Sequence, residues 1–410
     1  MTEFKQTRLE NGLDVIAEVN PNAYAASIGF FVRTGSRDES DEIAGVSHFL
    51  EHMVFKGTPR RSAADVNRQL DEMGGVSNAF TTEEATAFYI SVLPELQTRA
   101  VDLLADILRP SLREDDFNTE KNVILEEIKM YEDQPPFGVD EKCRELFFAG
   151  HPLSRSVLGT RETVGKMTAA QMRAYFESRY APENITVAAS GAVDFDKFAE
   201  DVRKCCGAWE PRPVGRETFR PVGWEGKKVF VRPSATQEYL FFLSDAPSGR
   251  DDERYAAAIL ASIVGDDVGS RLFWELVDNG KADCASLGFY EFFDAGYFCT
   301  SLCCAPECAA ENARIAEDVC RRATDEGVTA EELDRAKNKI LARLVMAAER
   351  SRGRLFAIGS EWTMNRAYSP IGDDLKIVRE MTLDRVNGLL RKYPLTPKLT
   401  VAVGPLEELG

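Results

Sequence analysis

Residues 45–58 read GVSHFLEHMVFKGT and contain two of the only three histidines in a chain of 410 residues. His48 and His52 are four positions apart, so on a helix they share one face and can direct both imidazoles at one point. Glu51 lies three positions after His48, which places its carboxylate beside the same point. This stretch therefore predicts a helix that carries half of a metal site and a carboxylate able to accept a proton.

The order His-x-x-Glu-His reverses the commoner His-Glu-x-x-His arrangement and is a signature of zinc peptidases. A catalytic zinc ion needs a third protein ligand and one open position for water. A second helix, predicted from about Asp115 to Asp133, offers Glu120, Glu126 and Glu127. Glu120 and Glu127 are two turns apart and share a face, whereas Glu126 is rotated by roughly 100° from Glu127. Spacing alone leaves Glu120 and Glu127 as alternatives for the third ligand, with the other supporting a ligand from behind.

The flanking sequence predicts a mixture of strands and helices. Asn11-Gly12 predicts a hairpin turn, Ser62 a helix N-cap, and Gly74-Gly75 the end of that helix. The predicted strands are Thr7–Leu9, Leu13–Glu18, Ala25–Thr34, Gly75–Thr81, Thr86–Val92 and Leu399–Val403; further helices are predicted at Ala44–Phe55, Leu96–Leu108 and Thr329–Ala348. Because strands and helices do not alternate strictly, we expect an α+β protein of two structurally repeated domains, each a mostly antiparallel mixed sheet with helices packed on one face.

Proline, glycine and charged residues without periodicity mark a linker near the middle of the chain. An apolar strand, a short charged turn and a helix occur in the same order on both sides of it, and aligning Arg37 with Arg250 gives an offset of 213. At that offset His48, Glu51 and His52 correspond to Ala261, Val264 and Gly265. We therefore expect a zinc-bearing catalytic domain at 1–212, a linker at 213–224, and a domain of the same fold without the zinc motif at 225–410.

The composition excludes several classes of protein. There are 50 Lys+Arg against 67 Asp+Glu, and this net charge of −17 argues against nucleic-acid binding, which requires a basic surface. The longest apolar run, residues 23–32, is far shorter than the roughly 20 residues of a membrane span, and no basic-then-apolar leader begins the sequence. The nine cysteines form no disulfide framework, and the group Cys299, Cys303, Cys304 and Cys308 lacks the paired spacing of a zinc site, so we expect core thiols. These features predict a cytoplasmic protein that binds neither nucleic acid nor membranes.

The chain resembles the inverzincin metallopeptidases of the insulysin–pitrilysin superfamily, which includes mitochondrial processing peptidase, and in particular the short, two-domain bacterial type. The resemblance extends along nearly the whole chain and is most specific at residues 45–58. It also covers 9–13 (LENGL), 35–39 (GSRDE), 78–81 (NAFT), 123–128 (VILEEI), 151–153 (HPL), 158–160 (LGT), 270–273 (SRLF) and residues 329–351.

This resemblance implies one zinc ion per chain, with His48, His52 and Glu127 as its ligands. It also implies that Glu51 is the general base acting on a zinc-bound water, and that Glu120 supports the ligands from behind. The resemblance further assigns Asn78, Ala79, Phe80 and Thr81 to an edge strand that takes a peptide substrate as an added strand. Taken alone, those four residues predict an ordinary sheet strand, and His151 looks like a loop histidine and not a ligand.

The second half departs from the family at one place. Active members typically carry an Arg and a Tyr that hold the scissile carbonyl and its oxyanion. This chain has Val277 at the Arg position and Asp283 or Cys284 at the Tyr position, which leaves Arg271, Tyr290 or a partner subunit to take over that role.

We expect a zinc-dependent endopeptidase that hydrolyses peptides or unfolded protein segments, working as a homodimer or as a heterodimer with a related subunit. The alternative is a non-catalytic or partner-dependent subunit of a heterodimeric peptidase, because the Arg/Tyr pair is missing.

Overall fold

The computed structural model describes residues 2–221 and 224–409, which form two compact units. The first unit comprises Met1–Met130, Arg155–Glu217 and Val345–Ser369, and the second comprises Tyr131–Ser154, Thr218–Leu344 and Pro370–Gly410. Each unit therefore contains one segment that lies in the other half of the sequence. The domain limits predicted at 1–212 and 225–410 stay a prediction.

The two units contain eleven strands within the described ranges. They are β1 (Glu3–Arg8), β2 (Asp14–Val19), β3 (Ala26–Val32), β4 (Val76–Thr81), β5 (Thr86–Val92), β6 (Ile185–Gly191), β7 (Gly226–Val231), β8 (Glu238–Asp245), β9 (Cys284–Glu291), β10 (Gly296–Cys304) and β11 (Leu399–Gly404). The first sheet has the order β1-β2-β6-β3-β5-β4 and the second β7-β11-β8-β10-β9. In the first sheet β2 and β6 run parallel, in the second β7 and β11 do, and the other neighbours are antiparallel.

Without β1, the two sheets have the same strand order. Numbered within its own unit, each reads first, fifth, second, fourth, third strand, with the parallel pair at the same place. This identity confirms the prediction of two structurally repeated α+β domains with mostly antiparallel mixed sheets.

The helices cover the apolar faces of these sheets. They are α1 (Val46–Val54), α2 (Ala63–Glu72), α3 (Gln97–Ile107), α4 (Glu114–Asp133), α5 (Val139–Phe147), α6 (Arg161–Lys166), α7 (Ala169–Arg179), α8 (Phe195–Cys206), α9 (Arg254–Gly265), α10 (Ala309–Glu326), α11 (Ala330–Ala348), α12 (Ser351–Asn365), α13 (Ile371–Glu380) and α14 (Leu383–Lys392). Most of them pack on one face of their sheet and bury one large apolar core in each unit. None of those in the described ranges has the length and apolarity needed to cross a bilayer.

The second face of each sheet is covered by a helix from the other half of the sequence. On the first sheet, Leu355 and Ile358 of α12 pack against Ile16, Phe31 and Ala188. On the second sheet, α5 buries Val139, Cys143 and Phe147 against Phe241 and Leu243, among others. Each sheet is thus covered on both faces within its own unit.

The predicted elements match the observed ones to within a few residues, with one larger difference. The first strand begins at Glu3 instead of Thr7, because Glu3–Arg8 pairs along its whole length with Asp14–Val19. Phe4 stacks on Tyr368 with ring centroids 3.9 Å apart, a contact that no local pattern shows. All nine thiols are free; the prediction of core thiols is confirmed for Cys299, Cys303 and Cys304, which are buried, whereas Cys308 is half-buried.

Candidate metal centre

Helix α1 is fixed at its first turn by a buried carboxylate. The Gly45 and Ser47 N–H groups donate to the two oxygens of Glu39, each over 2.7 Å. Gly45 itself has φ +94° and passes so close to the backbone of Leu158 that a Cβ would lie 2.6 Å from its carbonyl oxygen, so glycine is required there. The start of the helix therefore cannot shift without breaking several buried contacts.

A series of hydrogen-bonded hydroxyl groups also anchors the first turn of α1. Ser47 Oγ lies 2.7 Å from the Tyr175 hydroxyl, which lies 2.8 Å from Thr34 Oγ1, and Arg179 donates to that Thr34 oxygen. Burial raises the pKa of Tyr175, so its hydroxyl stays protonated and available as a donor. The apolar side of α1 is buried in the core, and His48, Glu51 and His52 are presented on its remaining side.

Glu127 of α4 faces both histidines of α1. Its Oε2 lies 3.9 Å from His48 Nε2 and 3.7 Å from His52 Nε2. Two ligands each about 2.0–2.1 Å from a tetrahedral zinc ion would be roughly 3.4 Å apart, so these separations are near those of a metal site. Among the described residues, His48, His52 and Glu127 are the one group of metal-ligating side chains that converges in this way. These three residues could hold a metal ion.

A second pair of side chains orients His52. Its Nδ1 lies 2.9 Å from Glu120 Oε1, and the other oxygen of Glu120 lies 2.5 Å from Lys56 Nζ. Burial alone would raise the pKa of the Glu120 carboxyl, but its bonds to Lys56 and His52 outweigh burial and lower it. An ionised Glu120 accepts a hydrogen bond from the Nδ1–H group of His52. In this tautomer Nε2 is unprotonated, and its lone pair is on the side of Glu127.

The donor set fits a zinc ion. Burial, with a smaller contribution from the neighbouring His52, lowers the pKa of His48 to about 4, so at neutral pH His48 is uncharged and able to ligate. Two imidazole nitrogens and one carboxylate oxygen are a ligand set found in catalytic zinc sites with an open position for water. The Nδ1 atom of His48 is buried and has no hydrogen-bond partner among the described residues, unlike Nδ1 of His52.

Glu51 contacts the neighbouring strand. The Thr81 hydroxyl, at the end of β4, donates to Glu51 Oε2 over 2.6 Å. Burial raises the pKa of Glu51, the Thr81 bond and His52 lower it in part, and the charge of Glu127 raises it further. Glu51 therefore interacts electrostatically with His52 and Glu127, and its pKa is raised above that of a free carboxyl, which suits a proton acceptor.

Strand β4 is the edge of the first sheet and pairs with β5 only. Its residues alternate between the two faces: Ala79 packs against the core on the helix side, and Phe80 contacts Phe356 on the other. Val76 is 57% exposed at its beginning. The predicted edge strand is thus an edge strand in the structure, and its role in binding substrate stays a prediction.

The alternatives for the missing Arg/Tyr pair have other contacts within the second unit. Arg271 donates to both carboxylate oxygens of Glu332, over 2.7 and 2.8 Å, and to the Gly327 carbonyl. Tyr290 is half-exposed on β9 and stacks on Tyr297. Arg271 is therefore already engaged in a bidentate ion pair, whereas Tyr290 is a half-exposed side chain that stacks on Tyr297.

The residues at the family's Arg and Tyr positions have no comparable chemistry. Val277 ends a π-helical turn and packs against the core, Asp283 accepts a hydrogen bond from Gln237, and Cys284 is exposed.

His151 is a loop residue as predicted, but a buried one: its Nδ1 accepts from the Leu153 N–H and its Nε2 lies 2.9 Å from the Phe219 carbonyl oxygen.

Sequence reasoning missed two residues of this centre. Lys56 follows His52 by four positions and lies just beyond the end of α1 at Val54, and this spacing could have identified it. Glu39 lies six positions before Gly45 and eight before Ser47, and no local pattern connects a carboxylate at that distance with their N–H groups.

Comparison with known proteins agrees with this arrangement. The sequence profile of insulinase (peptidase family M16) matches residues 14–161, and that of the peptidase M16 inactive domain matches residues 166–340. An uncharacterized zinc protease of Mycobacterium bovis is 34% identical over 94% of this chain and 90% of its own length. A probable mitochondrial-processing peptidase subunit beta of Arabidopsis thaliana is 28% identical over 99% of this chain and 79% of its own.

The fold has close counterparts among solved structures. The crystal structure of a protease from Helicobacter pylori superposes with a TM-score of 0.91 at 21% identity, covering 99% of this chain and 100% of that one. The described residues thus form two units of related fold, with one candidate metal site, which lies in the first half of the chain. The chain belongs to peptidase family M16, and the resemblance inferred from its sequence is confirmed.

Proposed function

We propose that the protein is a zinc-dependent endopeptidase that hydrolyses peptides or unfolded protein segments. The observation that carries this proposal is the convergence of His48, His52 and Glu127 beside a carboxylate, Glu51, that is not itself one of the three. Relatives whose sequences match nearly the whole chain are named zinc proteases, which supports the same proposal.

The three converging residues would hold one zinc ion, which supplies a Lewis acid that polarises a carbonyl and lowers the pKa of water. Glu51 would accept the proton from the attacking water and return it to the leaving amine. Glu120 would keep His52 in the tautomer that ligates, and Lys56 would keep Glu120 ionised. Burial keeps His48 uncharged, so at neutral pH zinc would not compete with a proton there.

The substrate would add to the free edge of β4 as an extra strand. Backbone pairing accepts any extended peptide, so Asn78, Ala79, Phe80 and Thr81 would align the chain with little dependence on its sequence. The β5 side of this strand is already paired from Val76 to Thr81, which leaves the opposite edge for the substrate.

The substitution Glu51→Gln tests this mechanism. The variant should bind one zinc ion per chain, as the wild-type protein should, because its ligands are intact, and it should lose peptide cleavage by at least about 100-fold, since the base is gone. Zinc content and turnover of a fluorogenic peptide are the two measurements. Unchanged turnover in the variant would rule out Glu51 as the base, and a wild-type chain that neither binds zinc nor cleaves would rule out the proposed function.

A second candidate function is that of a partner-dependent subunit. Its support is that Val277 occupies the family's Arg position and that Arg271 is tied to Glu332. A second copy of this chain or a related subunit would then supply the group that stabilises the oxyanion. One relative is a probable beta subunit of mitochondrial-processing peptidase, which is compatible with a two-chain assembly.

The nine free thiols suit a reducing compartment such as the cytoplasm.

The two candidates differ in what the purified chain does alone. Zinc-loaded chain should cleave an unfolded protein without any addition if it is a complete enzyme. If it is partner-dependent, cleavage should appear only at concentrations where it dimerises or when a related subunit is added. Activity measured against chain concentration, together with mass by light scattering, separates the two.

A further inference from the structure

Thr81 has its side chain on Glu51 and not on the free edge of its strand. Its hydroxyl donates to Glu51 Oε2 over 2.6 Å, which is short for a hydroxyl donor and typical of a bond to an ionised acceptor. A side chain engaged in this way is not available to a peptide added at the edge. The backbone of Thr81 remains in the strand, where it pairs with Thr86.

The position of this hydroxyl is set by the backbone around it. Thr81 is the last residue of β4, and the turn that follows is closed by Thr82, whose N–H donates to the Ala85 carbonyl over 2.8 Å and whose Oγ1 accepts from the Ala85 N–H. Because threonine is branched at Cβ, its χ1 angle has few alternatives in a strand. The position of the hydroxyl is thus set by the strand and the turn, independently of its contact with Glu51.

Glu51 needs such support because its other contacts do not fix it. It lies in the second half of α1, and within the described residues its side chain makes one hydrogen bond, the one from Thr81. With Oε2 held by Thr81, Oε1 would be the oxygen that accepts the proton of a reacting water. A carboxylate side chain with three rotatable bonds would otherwise sample several rotamers, and a displacement of about 1 Å from the reacting atoms costs up to roughly 100-fold in rate.

We propose that Thr81 is a positioning residue that orients Glu51 for proton transfer, an inference that rests on the proposed peptidase function. The strand that would pair with a peptide is therefore also the strand that carries the orienting hydroxyl. The substrate-binding edge and the base are connected through the Thr81 side chain.

The substitution Thr81→Val tests the proposal, because valine keeps the shape and removes the donor. We expect kcat to fall by about 10- to 100-fold while KM and zinc content stay as in the wild-type protein. Thr81→Ser keeps the hydroxyl and should recover most of kcat. The matched control is Thr7→Val on β1, a strand threonine at the opposite edge of the same sheet, which should leave kcat, KM and melting temperature unchanged.

The outcomes separate this proposal from the proposed function. A Thr81→Val variant whose kcat lies within twofold of the wild-type value overturns the positioning role. So does a variant whose KM rises at constant kcat, because that result makes Thr81 a substrate-binding residue, and so does one that loses zinc or melts several degrees lower, because that result makes it structural. If the wild-type chain, zinc-loaded and at concentrations that permit dimers, cleaves no peptide, the proposed function fails and this inference falls with it.

Discussion

Two side chains beyond the three candidate ligands determine which tautomer of His52 is available to bind a metal. Glu120 accepts from His52 Nδ1, and Lys56 pairs with the second oxygen of Glu120. Glu120 is 4% exposed, so its charge depends on these two partners and not on water. This relay is a property of individual residues, and single substitutions can take it apart.

At this scale we expect Glu120→Gln to weaken zinc binding by about 10- to 100-fold, since the amide is a poorer acceptor and no longer fixes the tautomer of His52. Competition with a chromophoric chelator measures the change. Lys56→Met should also weaken binding, because it leaves the buried Glu120 carboxylate without its cation. The matched control is Lys121→Met on the same helix as Glu120, whose ammonium donates to the backbone carbonyls of Gly165 and Met167 and lies 5.1 Å from the centre of the Phe117 ring. Wild-type affinity in Glu120→Gln would contradict the relay.

The spacing of residue types was enough to predict which side chains meet at the centre, but not all of their supports. His48 and His52 share a face of one helix, and Glu120 and Glu127 share a face of another, so periodicity alone groups them in pairs. That the two helices face each other, and that Glu127 and not Glu120 completes the group, depends on the packing of α1 against α4, where Phe49 stacks on Phe117. Spacing therefore left both glutamates open, and the resemblance was needed to choose between them.

Among the elements, α1 has the most unusual support, because a buried carboxylate caps it from outside the helix. The Gly45 and Ser47 N–H groups bind both oxygens of Glu39, which is an arrangement that favours the ionised form at a helix N-terminus. Burial opposes ionisation more strongly and raises the pKa of Glu39 from 4.5 to about 8. The stability of this element should consequently depend on pH in the range where Glu39 titrates.

The sign of that dependence follows from the two pKa values. Between about pH 4.5 and pH 8 the folded protein holds a proton on Glu39 that the unfolded chain has released, so the Glu39 contribution to stability falls as pH rises, by about 1.4 kcal/mol per pH unit. Urea unfolding of the wild-type protein and of Glu39→Gln, at pH 5 and pH 7.5, measures this contribution as the difference between them. The wild-type protein should lose stability relative to the variant at the higher pH. A difference that grows in favour of the wild-type protein would mean that the N–H bonds outweigh burial.

Most elements were predictable because their signals are local. The cap at Ser62 begins α2, and the capping box at Thr329 begins α11, where Glu332 N–H donates to the Thr329 hydroxyl. The exceptions depend on distant partners: β1 extends to Glu3 because β2 continues to Val19. Amphipathic patterning shows that a helix has an apolar face but does not show which sheet it will cover.

At the scale of the whole molecule, α5 and α12 are the helices for which patterning could not show which sheet they cover. Each covers the second face of a sheet whose strands lie mainly in the other half of the sequence. Helix α12 is also held by a buried ion pair, in which Arg354 Nε donates to Glu18 Oε1 over 2.8 Å. The repeated strand order reflects two similar halves, whereas the covering helices make each unit depend on both halves.

This dependence predicts how fragments behave when the chain is divided at the expected linker. A fragment of residues 1–212 lacks α12, so Ile16, Phe31, Ala87, Tyr89 and Ala188 would lie exposed on one face of its sheet, and Glu18 would lose its buried cation. We expect this fragment to bind a hydrophobic dye, to associate, and to melt well below the full-length chain. Adding a peptide of residues 345–369 should suppress dye binding and raise the melting temperature, whereas the same peptide with Arg354→Met should do so less. A monomeric 1–212 fragment that melts like the intact protein would show that α12 is dispensable and that the limits expected from the sequence are also limits of folding.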